Sequence, residues 1–338
     1  MGEAGRKSFN QVLSGIGIFL VVLGHSSGVL PEKAAIIASG NPWYFGFLQI
    51  LAWIYTFHMP LFFMLSGMNY AEFTLPKTPS YVQLLRSKAC RLLFPYLTIS
   101  TLAYPVKAVL SRLALRPIDL SFGSYFTQIF YPWENSIVFF WFLPTLFLCF
   151  AVAPLLTHAR SVGGRVTLVC GLLAASFLFP HHPVKEEWLA LGNLGGVLHN
   201  LIYFYLGIEL VRLGLTSVSR SIWTLAILTG FYVLQGYLHS IEIATFIFTL
   251  IGISGCLVCG HFLSGSNLLS SLGRYSYQIY LFSWFFQIPA RIVFGQIWCP
   301  SIWLAVTASL GAGILGPIVL TRFLEKVAPK WLSTLYGT

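Results

Sequence analysis

The sequence predicts an all-α, polytopic membrane protein, and three properties of its composition lead to this fold class. Of the 338 residues, 57% are hydrophobic and only 9% are charged, and the mean hydropathy is +0.77. Soluble domains carry about 25% charged residues because their surface faces water. This chain has too few charged residues to cover a soluble globule of its size, so its apolar surface must face lipid. The composition therefore excludes a soluble enzyme and favours a bundle of membrane-spanning helices.

Ten apolar segments predict about ten spans. A helix rises 1.5 Å per residue and the hydrocarbon core is about 30 Å thick, so a span needs about 20 apolar residues. The fifth segment is short, and the third contains Pro105 and Lys107. The connections are too short for a soluble domain, so residues 1–338 are predicted to form a single integral-membrane domain. The predicted spans are 11–30, 46–68, 92–111, 136–157, 165–180, 197–213, 221–239, 242–263, 275–297 and 301–321.

The positions of the cations predict the orientation of the chain. Cytoplasmic segments of membrane proteins collect Lys and Arg. With the N-terminus in the cytoplasm, 14 of the 20 Lys and Arg residues lie in cytoplasmic segments, and the even number of spans returns the C-terminus to the same side. The net charge of +10 thus has a topological explanation, and nucleic acid is not an expected partner. The 14 are Arg6, Lys7, Lys77, Arg86, Lys88, Arg91, Arg160, Arg165, Arg212, Arg220, Arg274, Arg322, Lys326 and Lys330. The other six are Lys33, Lys107, Arg112, Arg116, Lys185 and Arg291.

The first span follows Arg6 and Lys7, as the apolar part of a signal peptide would. Its apolar run is about 20 residues long, which is span length, and a polar His-Ser-Ser cluster lies near its outer end. Both features favour a helix that is retained in the membrane.

Two histidines in the first two spans are the strongest candidates for chemistry. Ionisable groups inside lipid are costly and are functional candidates by default. His25 lies in the outer part of span one, and His58 lies near the middle of span two. Antiparallel neighbouring spans bring both imidazoles to one cavity, where a neutral ring accepts a proton from a hydroxyl group. The alternative is that each histidine only bonds a neighbouring helix.

Three cations stand before the third span, in the segment 77–95, which we interpret as a cytoplasmic loop. Arg86, Lys88 and Arg91 suit the phosphate groups of a cytosolic ligand. The alternative is that they hold the topology and contact anionic lipid headgroups.

Few other polar residues qualify as site candidates. Glu134 precedes span four and Glu242 opens span eight, both on the outer side, where a carboxylate can orient a histidine or bind sugar hydroxyls. His181 and His182 indicate a solvated outer loop, and no third ligand is spaced to complete a metal site. No metal or bound cofactor is therefore expected.

Five motifs, in order, resemble the acyltransferase-3 family of membrane O-acyltransferases, and most closely its fucose 4-O-acetylase-like branch. Each is apolar and weak alone, but the ordered set covers nearly the whole chain. They are residues 14–26 (SGIGIFLVVLGHS), 57–67 (FHMPLFFMLSG), 91–96 (RLLFPY), 141–147 (WFLPTLF) and 272–281 (LGRYSYQIYL).

The resemblance implies transfer of an acyl group, usually acetyl from acetyl-CoA, to a hydroxyl of a cell-surface or envelope carbohydrate. The family's catalytic histidine matches His25, with His58 positioning the reacting groups. Its basic cluster, which receives the CoA phosphates, matches the segment from Arg86 to Arg91. The implied partners are acyl-CoA, a carbohydrate or lipid-linked glycan acceptor and membrane lipids, in a bacterial inner membrane. Candidates for binding the acceptor are Glu134, Trp141 and Glu242.

Two positions depart from the family pattern. The family usually carries Arg or Lys eleven residues before its first-span histidine, where this chain has Ser14. We expect another helix to supply this cation, and Lys107 is the candidate. Many relatives also carry a histidine at the position of Ser283.

A transporter or flippase of a sugar, lipid-linked glycan or small ion is the alternative function. In that case His25, His58 and Lys107 would line a pathway through the membrane. The sequence contains no internal repeat, which argues against this alternative. A noncatalytic membrane scaffold ranks last because it would leave the two histidines unexplained.

Overall fold

A computed structural model of the protein describes residues 3–27, 40–110, 118, 120–179, 181–183, 187–214 and 242–327. These residues form α-helices joined by short 3₁₀ and π segments, and no strand occurs among them. The prediction of an all-α protein is confirmed. The helices are α1 (Glu3–Ser27), α2 (Pro42–Asn69), α3 (Tyr81–Lys88), α4 (Phe94–Val109), α5 (Phe122–Phe130), α6 (Phe142–Leu156), α7 (Val162–Leu178), α8 (Leu194–Arg212), α9 (Glu242–Phe262), α10 (Asn267–Arg274), α11 (Ser276–Ile292) and α12 (Ile302–Val327).

Seven helical segments of the described ranges are long and apolar enough to cross a membrane. They coincide with the predicted spans one to four, six, eight and ten. The predicted fifth span is the shorter apolar helix α7 and the ninth is α11, while span 221–239 lies outside the described residues. The seven are Gly5–Ser26, Pro42–Lys77, Tyr81–Val109, Val138–Leu156, Trp188–Arg212, Thr245–Phe262 and Ile302–Val327.

The segment before the third span is helical, and our interpretation of it as a loop was wrong. Ser80 starts α3 with a capping box, in which its hydroxyl accepts from the Gln83 backbone and the Gln83 side chain accepts from the Ser80 backbone. These two bonds satisfy donors that a helix start leaves unpaired. A π segment, Ala89–Leu93, then joins α3 to α4. The basic residues therefore stand on a continuous helical run, where their spacing is fixed.

The helices group into two compact units. The first contains residues 1–62 and 215–328, and in it α1 packs against α9, α10, α11 and α12. Glycines allow α1 and α10 to approach closely, because a side chain on Gly15 would collide with the Leu269 carbonyl and one on Gly273 with the Gln11 carbonyl. Such small residues are typical of helix contacts in membranes.

The second unit contains residues 63–214. Its helices also meet at glycines, since a side chain on Gly67 would collide with the Phe204 carbonyl and one on Gly207 with the Met64 carbonyl. The prediction of a single domain stays a prediction. Each unit carries part of the predicted site, with the two histidines in the first unit and the basic residues and Trp141 in the second.

Candidate active site

The structure brings the two predicted histidines together in the first unit, with a tyrosine beside both. His25 lies in the last turn of α1 and His58 lies within α2. The ring centroid of Tyr55 lies 6.1 Å from that of His25 and 5.0 Å from that of His58, both edge to face. His25 and His58 are within electrostatic range of each other. Two imidazoles and a phenol hydroxyl thus form one polar group on otherwise apolar helices.

The orientation of His58 is set by its own helix. Its Nδ1 lies 2.9 Å from the Ile54 carbonyl oxygen, and the side chain is only 4% exposed. A carbonyl oxygen only accepts hydrogen bonds, so in the neutral ring Nδ1 carries the proton and Nε2 remains as an acceptor. His58 is therefore held ready to bind or accept a proton at Nε2.

Pro60 interrupts the backbone bonds of α2 two residues after His58. Proline has no N–H, so the Thr56 carbonyl loses its usual helical donor. The Thr249 hydroxyl of α9 is shared between that carbonyl, at 3.1 Å, and the Thr245 carbonyl of its own helix, at 2.8 Å. Next to it, the absence of a side chain on Gly252 makes room for the Phe57 ring. The motif around His58 is thus fixed to α9 by one hydrogen bond and one close apolar contact.

The end of α1 that carries His25 is fixed to α11 by a buried glutamine. Gln287 Nε2 donates to the Val22 carbonyl at 3.0 Å and to the Ser26 hydroxyl at 2.9 Å. Ser26 itself donates to the Val22 carbonyl at 2.7 Å. A side chain on Gly313 would lie 2.6 Å from Gln287 Cγ, so this glycine on α12 makes the space that the glutamine needs. These bonds set the position of His25, which directly precedes Ser26.

Arg291 is a cation of this site that our sequence analysis did not assign to it. It lies one turn after Gln287 on α11, its Nε atom is buried, and it is within electrostatic range of His25 and Tyr55. We had counted it only among the outer-side cations. The spacing of Ser283, Gln287 and Arg291, four residues apart on an apolar helix, is the signal that would have identified this polar face.

The two positions that depart from the family pattern, Ser14 and Ser283, have different surroundings. The Ser14 hydroxyl donates to the Asn10 carbonyl of its own helix at 2.8 Å, and Ser283 is buried in α11. Lys107 is buried in α4 and belongs to the second unit. Its assignment as the substitute cation stays a prediction.

The predicted basic cluster lies in the second unit, on α3 and the π segment after it. Arg86 and Arg91 are exposed. Lys88 is half-buried, and its Nζ lies 3.9 Å from the centroid of the Phe150 ring on α6. An ammonium group over an aromatic face is attracted to the ring. Lys88 is therefore partly held by the protein, and the two arginines are exposed.

Two more arginines in the second unit share one carboxylate. Glu209, only 8% exposed, accepts from Arg165 at 3.0 Å and from Arg212 at 2.8 Å. Arg212 also donates to the Thr157 carbonyl at 3.1 Å. One carboxylate for two guanidinium groups leaves a net positive charge. Our sequence analysis placed both arginines among the cytoplasmic cations without giving them a role.

An aromatic group connects these two sets of cations. The Phe150 ring, which Lys88 covers, lies 6.1 Å from Tyr70 and 5.2 Å from Phe204, measured between centroids. Tyr70 is in turn within electrostatic range of Arg212. The same end of the second unit therefore carries the predicted cluster and the arginine pair.

Trp141 is buried within a stack of aromatic rings. Its ring is stacked at 4.8 Å on Trp133 and at 6.2 Å on Phe63. The Asn193 side chain accepts from the Trp133 indole at 3.0 Å and donates to Thr145 at 2.8 Å, which fixes the stack to α6. Trp141 is only 4% exposed, and its role in acceptor binding stays a prediction, while Trp133 is half-buried.

The His181–His182 segment is a bend, as the predicted loop requires, and His182 is exposed, but both rings also contact this stack. The His181 centroid lies 4.8 Å from Trp141, and that of His182 lies 4.2 Å from Trp133. Indole faces attract the positive edge of an imidazole, which a count of polar residues along the sequence does not show. Across the described residues no group of three His, Cys, Asp or Glu side chains is placed to hold a metal ion.

The two predicted carboxylates were not tested. Glu134 is exposed at the end of the 3₁₀ segment that carries Trp133. Glu242 begins α9, and its side chain lies outside the described part. Both stay predicted acceptor-binding residues.

Comparison with protein families agrees with the motifs. The model of the acyltransferase-3 family, described as an acyltransferase domain, matches residues 11–322. No curated protein and no solved structure matches the chain. The match contains His25 and His58, the basic residues of α3, and Arg291.

Proposed function

We propose that this chain moves an acetyl group from acetyl-CoA to a hydroxyl group of a carbohydrate. The chain belongs to the acyltransferase-3 family and is a membrane acyltransferase, and the proposal starts from this membership. The observation that carries this proposal is the pairing of His25 and His58, with Tyr55 beside both rings. A hydroxyl nucleophile requires a base that takes its proton, and an imidazole within the site supplies one.

The proposed reaction is a direct transfer. His25 takes the proton of the acceptor hydroxyl, and the oxygen attacks the carbonyl carbon of the acetyl thioester. The carbon–sulfur bond then breaks, the sulfur takes the proton from His25, and CoA leaves as a thiol. His58 binds and positions the reacting groups through Nε2. The products are an acetyl ester and CoA, and the imidazole returns to its initial state.

The donor site in this proposal is the basic helix of the second unit. Arg86 and Arg91 are exposed cations on a rigid helical run, and Lys88 stands between them over Phe150. Guanidinium groups bind phosphate oxygens with two parallel hydrogen bonds, which suits the phosphates of CoA. No metal is required for these steps.

The acceptor is proposed to be a cell-surface or envelope carbohydrate or a lipid-linked glycan, reached from the outer side of a bacterial inner membrane. The chain is an integral membrane protein of the acyltransferase-3 family, and such proteins modify glycans. Glu134 and Glu242 are the proposed ligands for sugar hydroxyls, with Trp141 shaping the site. The similarity to the fucose 4-O-acetylase-like branch makes deoxyhexosides the first acceptors to examine.

The experiment supplies labelled acetyl-CoA and a panel of methyl hexosides and methyl deoxyhexosides to the purified protein in lipid nanodiscs. We expect label to enter a glycoside as an acetyl ester, identified by mass spectrometry. His25→Ala is expected to abolish transfer, and His58→Ala to reduce it by about 10²-fold or more, the usual value of a general acid–base group.

His158→Ala is the matched control. His158 makes the same kind of bond as His58, from Nδ1 to the carbonyl four residues earlier, at 2.7 Å, but it is exposed and outside the histidine pair. It should transfer at the wild-type rate. Full transfer by His25→Ala would contradict the catalytic assignment, and a wild-type protein that neither binds nor consumes acetyl-CoA would contradict the proposed function. Flux of a sugar across liposomes without acyl chemistry would instead support the transporter.

A further inference from the structure

We propose that Arg291 is a catalytic residue of this acyl transfer, whose guanidinium group binds the acyl carbonyl oxygen as that oxygen becomes negatively charged. This inference rests on the proposed function above. It assigns a chemical role to a residue on α11, far in sequence from the histidines.

The position of Arg291 follows from the face of α11 that Gln287 occupies. Gln287 contacts the Val22 carbonyl and the Ser26 hydroxyl, so this face is directed at the end of α1 that carries His25. Residues four apart lie above one another on a helix. Arg291 therefore continues the same face by one turn, and it is within electrostatic range of His25.

Tyr55 also lies against the end of α1 that carries His25. A side chain on Gly24 would lie 3.2 Å from the Tyr55 ring and 3.3 Å from its hydroxyl oxygen, so the phenol end of Tyr55 lies directly against α1. The same ring is edge to face with His25 and with His58. Arg291 is within electrostatic range of both Tyr55 and His25. A cation, a phenol hydroxyl and two imidazoles thus meet at the end of α1.

The chemistry of thioester attack gives the cation a function. When a hydroxyl oxygen attacks the carbonyl carbon, the carbonyl oxygen takes a negative charge. Donors that are fixed before the reaction stabilise this charge most strongly where water is excluded. A guanidinium group supplies several such donors in a rigid plane and remains charged. An arginine placed only for topology or lipid contact would extend toward the interface instead, whereas the Arg291 Nε atom is buried.

The described part of the first span supplies no cation beside His25. Ser14 makes only a local bond to its own helix and carries no charge. Eleven residues of helix separate it from His25 by about 16 Å. Position 14 is therefore not beside His25, whereas Arg291 of α11 is within electrostatic range of it.

The test compares Arg291→Gln and Arg291→Lys with wild type in nanodiscs, using acetyl-CoA and the methyl glycoside that wild type acetylates fastest. Loss of an oxyanion donor lowers kcat by about 10²-fold to 10³-fold. We expect Arg291→Gln to lose about that much in kcat, with the KM for acetyl-CoA unchanged within about twofold. Arg291→Lys, which keeps the charge but not the planar donors, should lose about tenfold.

Arg160→Gln is the control, since Arg160 is an exposed cation of the second unit; it should behave as wild type. Wild-type kcat in Arg291→Gln, or a change in KM alone, would overturn the inference while leaving the proposed function intact. If Arg291→Gln does not fold, the kcat of Arg291→Lys becomes the test. An unchanged kcat in that variant overturns the inference. A wild type that does not transfer acetyl contradicts the proposed function instead.

Discussion

At the scale of single residues, the polar side chains near the histidine pair are held by backbone carbonyls and by one another. The Ile54 carbonyl orients His58, and the Val22 carbonyl receives both Ser26 and Gln287. In an apolar environment an unpaired polar group costs several kcal/mol, so each bond selects one arrangement strongly. Gln287, only 1% exposed, joins α11 to α1 at Val22 and Ser26.

Replacement of this glutamine is the prediction at the residue scale. Gln287→Leu removes the donor to the Val22 carbonyl and the Ser26 hydroxyl, so the end of α1 is no longer fixed beside α11. We expect kcat for acetyl transfer to fall by about tenfold, because small misplacements of reacting groups cost much rate. The KM for acetyl-CoA should stay unchanged. Gln296→Leu, at a half-buried glutamine after α11, is the control, and equal kcat values for the two variants would contradict the prediction.

At the scale of helices, α2 shows how a proline within a span is accommodated. Pro60 removes one backbone donor, and Thr249 of another helix supplies a hydroxyl in its place. Neighbouring helices commonly compensate prolines in membrane spans in this way. The site is therefore stabilised by α9 even though α9 contributes no predicted catalytic residue.

Removal of that hydroxyl is the prediction at the helix scale. Thr249→Val keeps the shape of the side chain but leaves the Thr56 carbonyl without the donor from α9. Interhelical hydrogen bonds in membranes contribute about 0.6 to 2 kcal/mol, so we expect the free energy of unfolding to fall by about 1 kcal/mol. Thermal unfolding in detergent would measure it.

The chain offers a matched control for this variant. Thr307 is exposed on α12 and donates to the Trp303 carbonyl of its own helix at 2.8 Å. Thr307→Val should leave the Tm unchanged. An equal loss of stability in both variants would show that the bond to Thr56 has no special importance.

At the scale of the whole molecule, the charges of the chain are few and unevenly placed. Only 9% of residues are charged, and most cations lie on the side that we predict to be cytoplasmic. In the second unit, the exposed Arg86 of α3, the exposed Arg91 of the π segment and the pair that shares Glu209 lie at the same end. This concentration suits an anionic donor such as CoA, and it makes the orientation of the chain essential to the proposed function.

The orientation is testable with Cys90, which is exposed beside Arg91. A variant that keeps Cys90 and replaces the other five cysteines with alanine should react with a membrane-impermeant maleimide in inverted vesicles and not in intact cells. Glu134→Cys in a cysteine-free background is the control and should show the opposite pattern, because Glu134 is exposed and predicted to face outward. Labelling of Cys90 from outside would reverse the topology and exclude a cytosolic donor at this cluster.

The sequence by itself determined the all-α membrane fold, most of the spans and the two histidines. These features are properties of local composition, because apolar length decides whether a helix spans a membrane and a histidine within a span stands out against its neighbours. The tertiary structure decided which distant residues complete the site. Gln287, Arg291 and Thr249 lie more than 180 positions from the first-span and second-span motifs that they accompany, and local patterns contain no information about that proximity. The contacts of His181 and His182 with Trp141 and Trp133 are long-range in the same way. The error at the segment 77–95 has a different cause, because the capping box of Ser80 and Gln83 starts a helix where the basic residues suggested a loop.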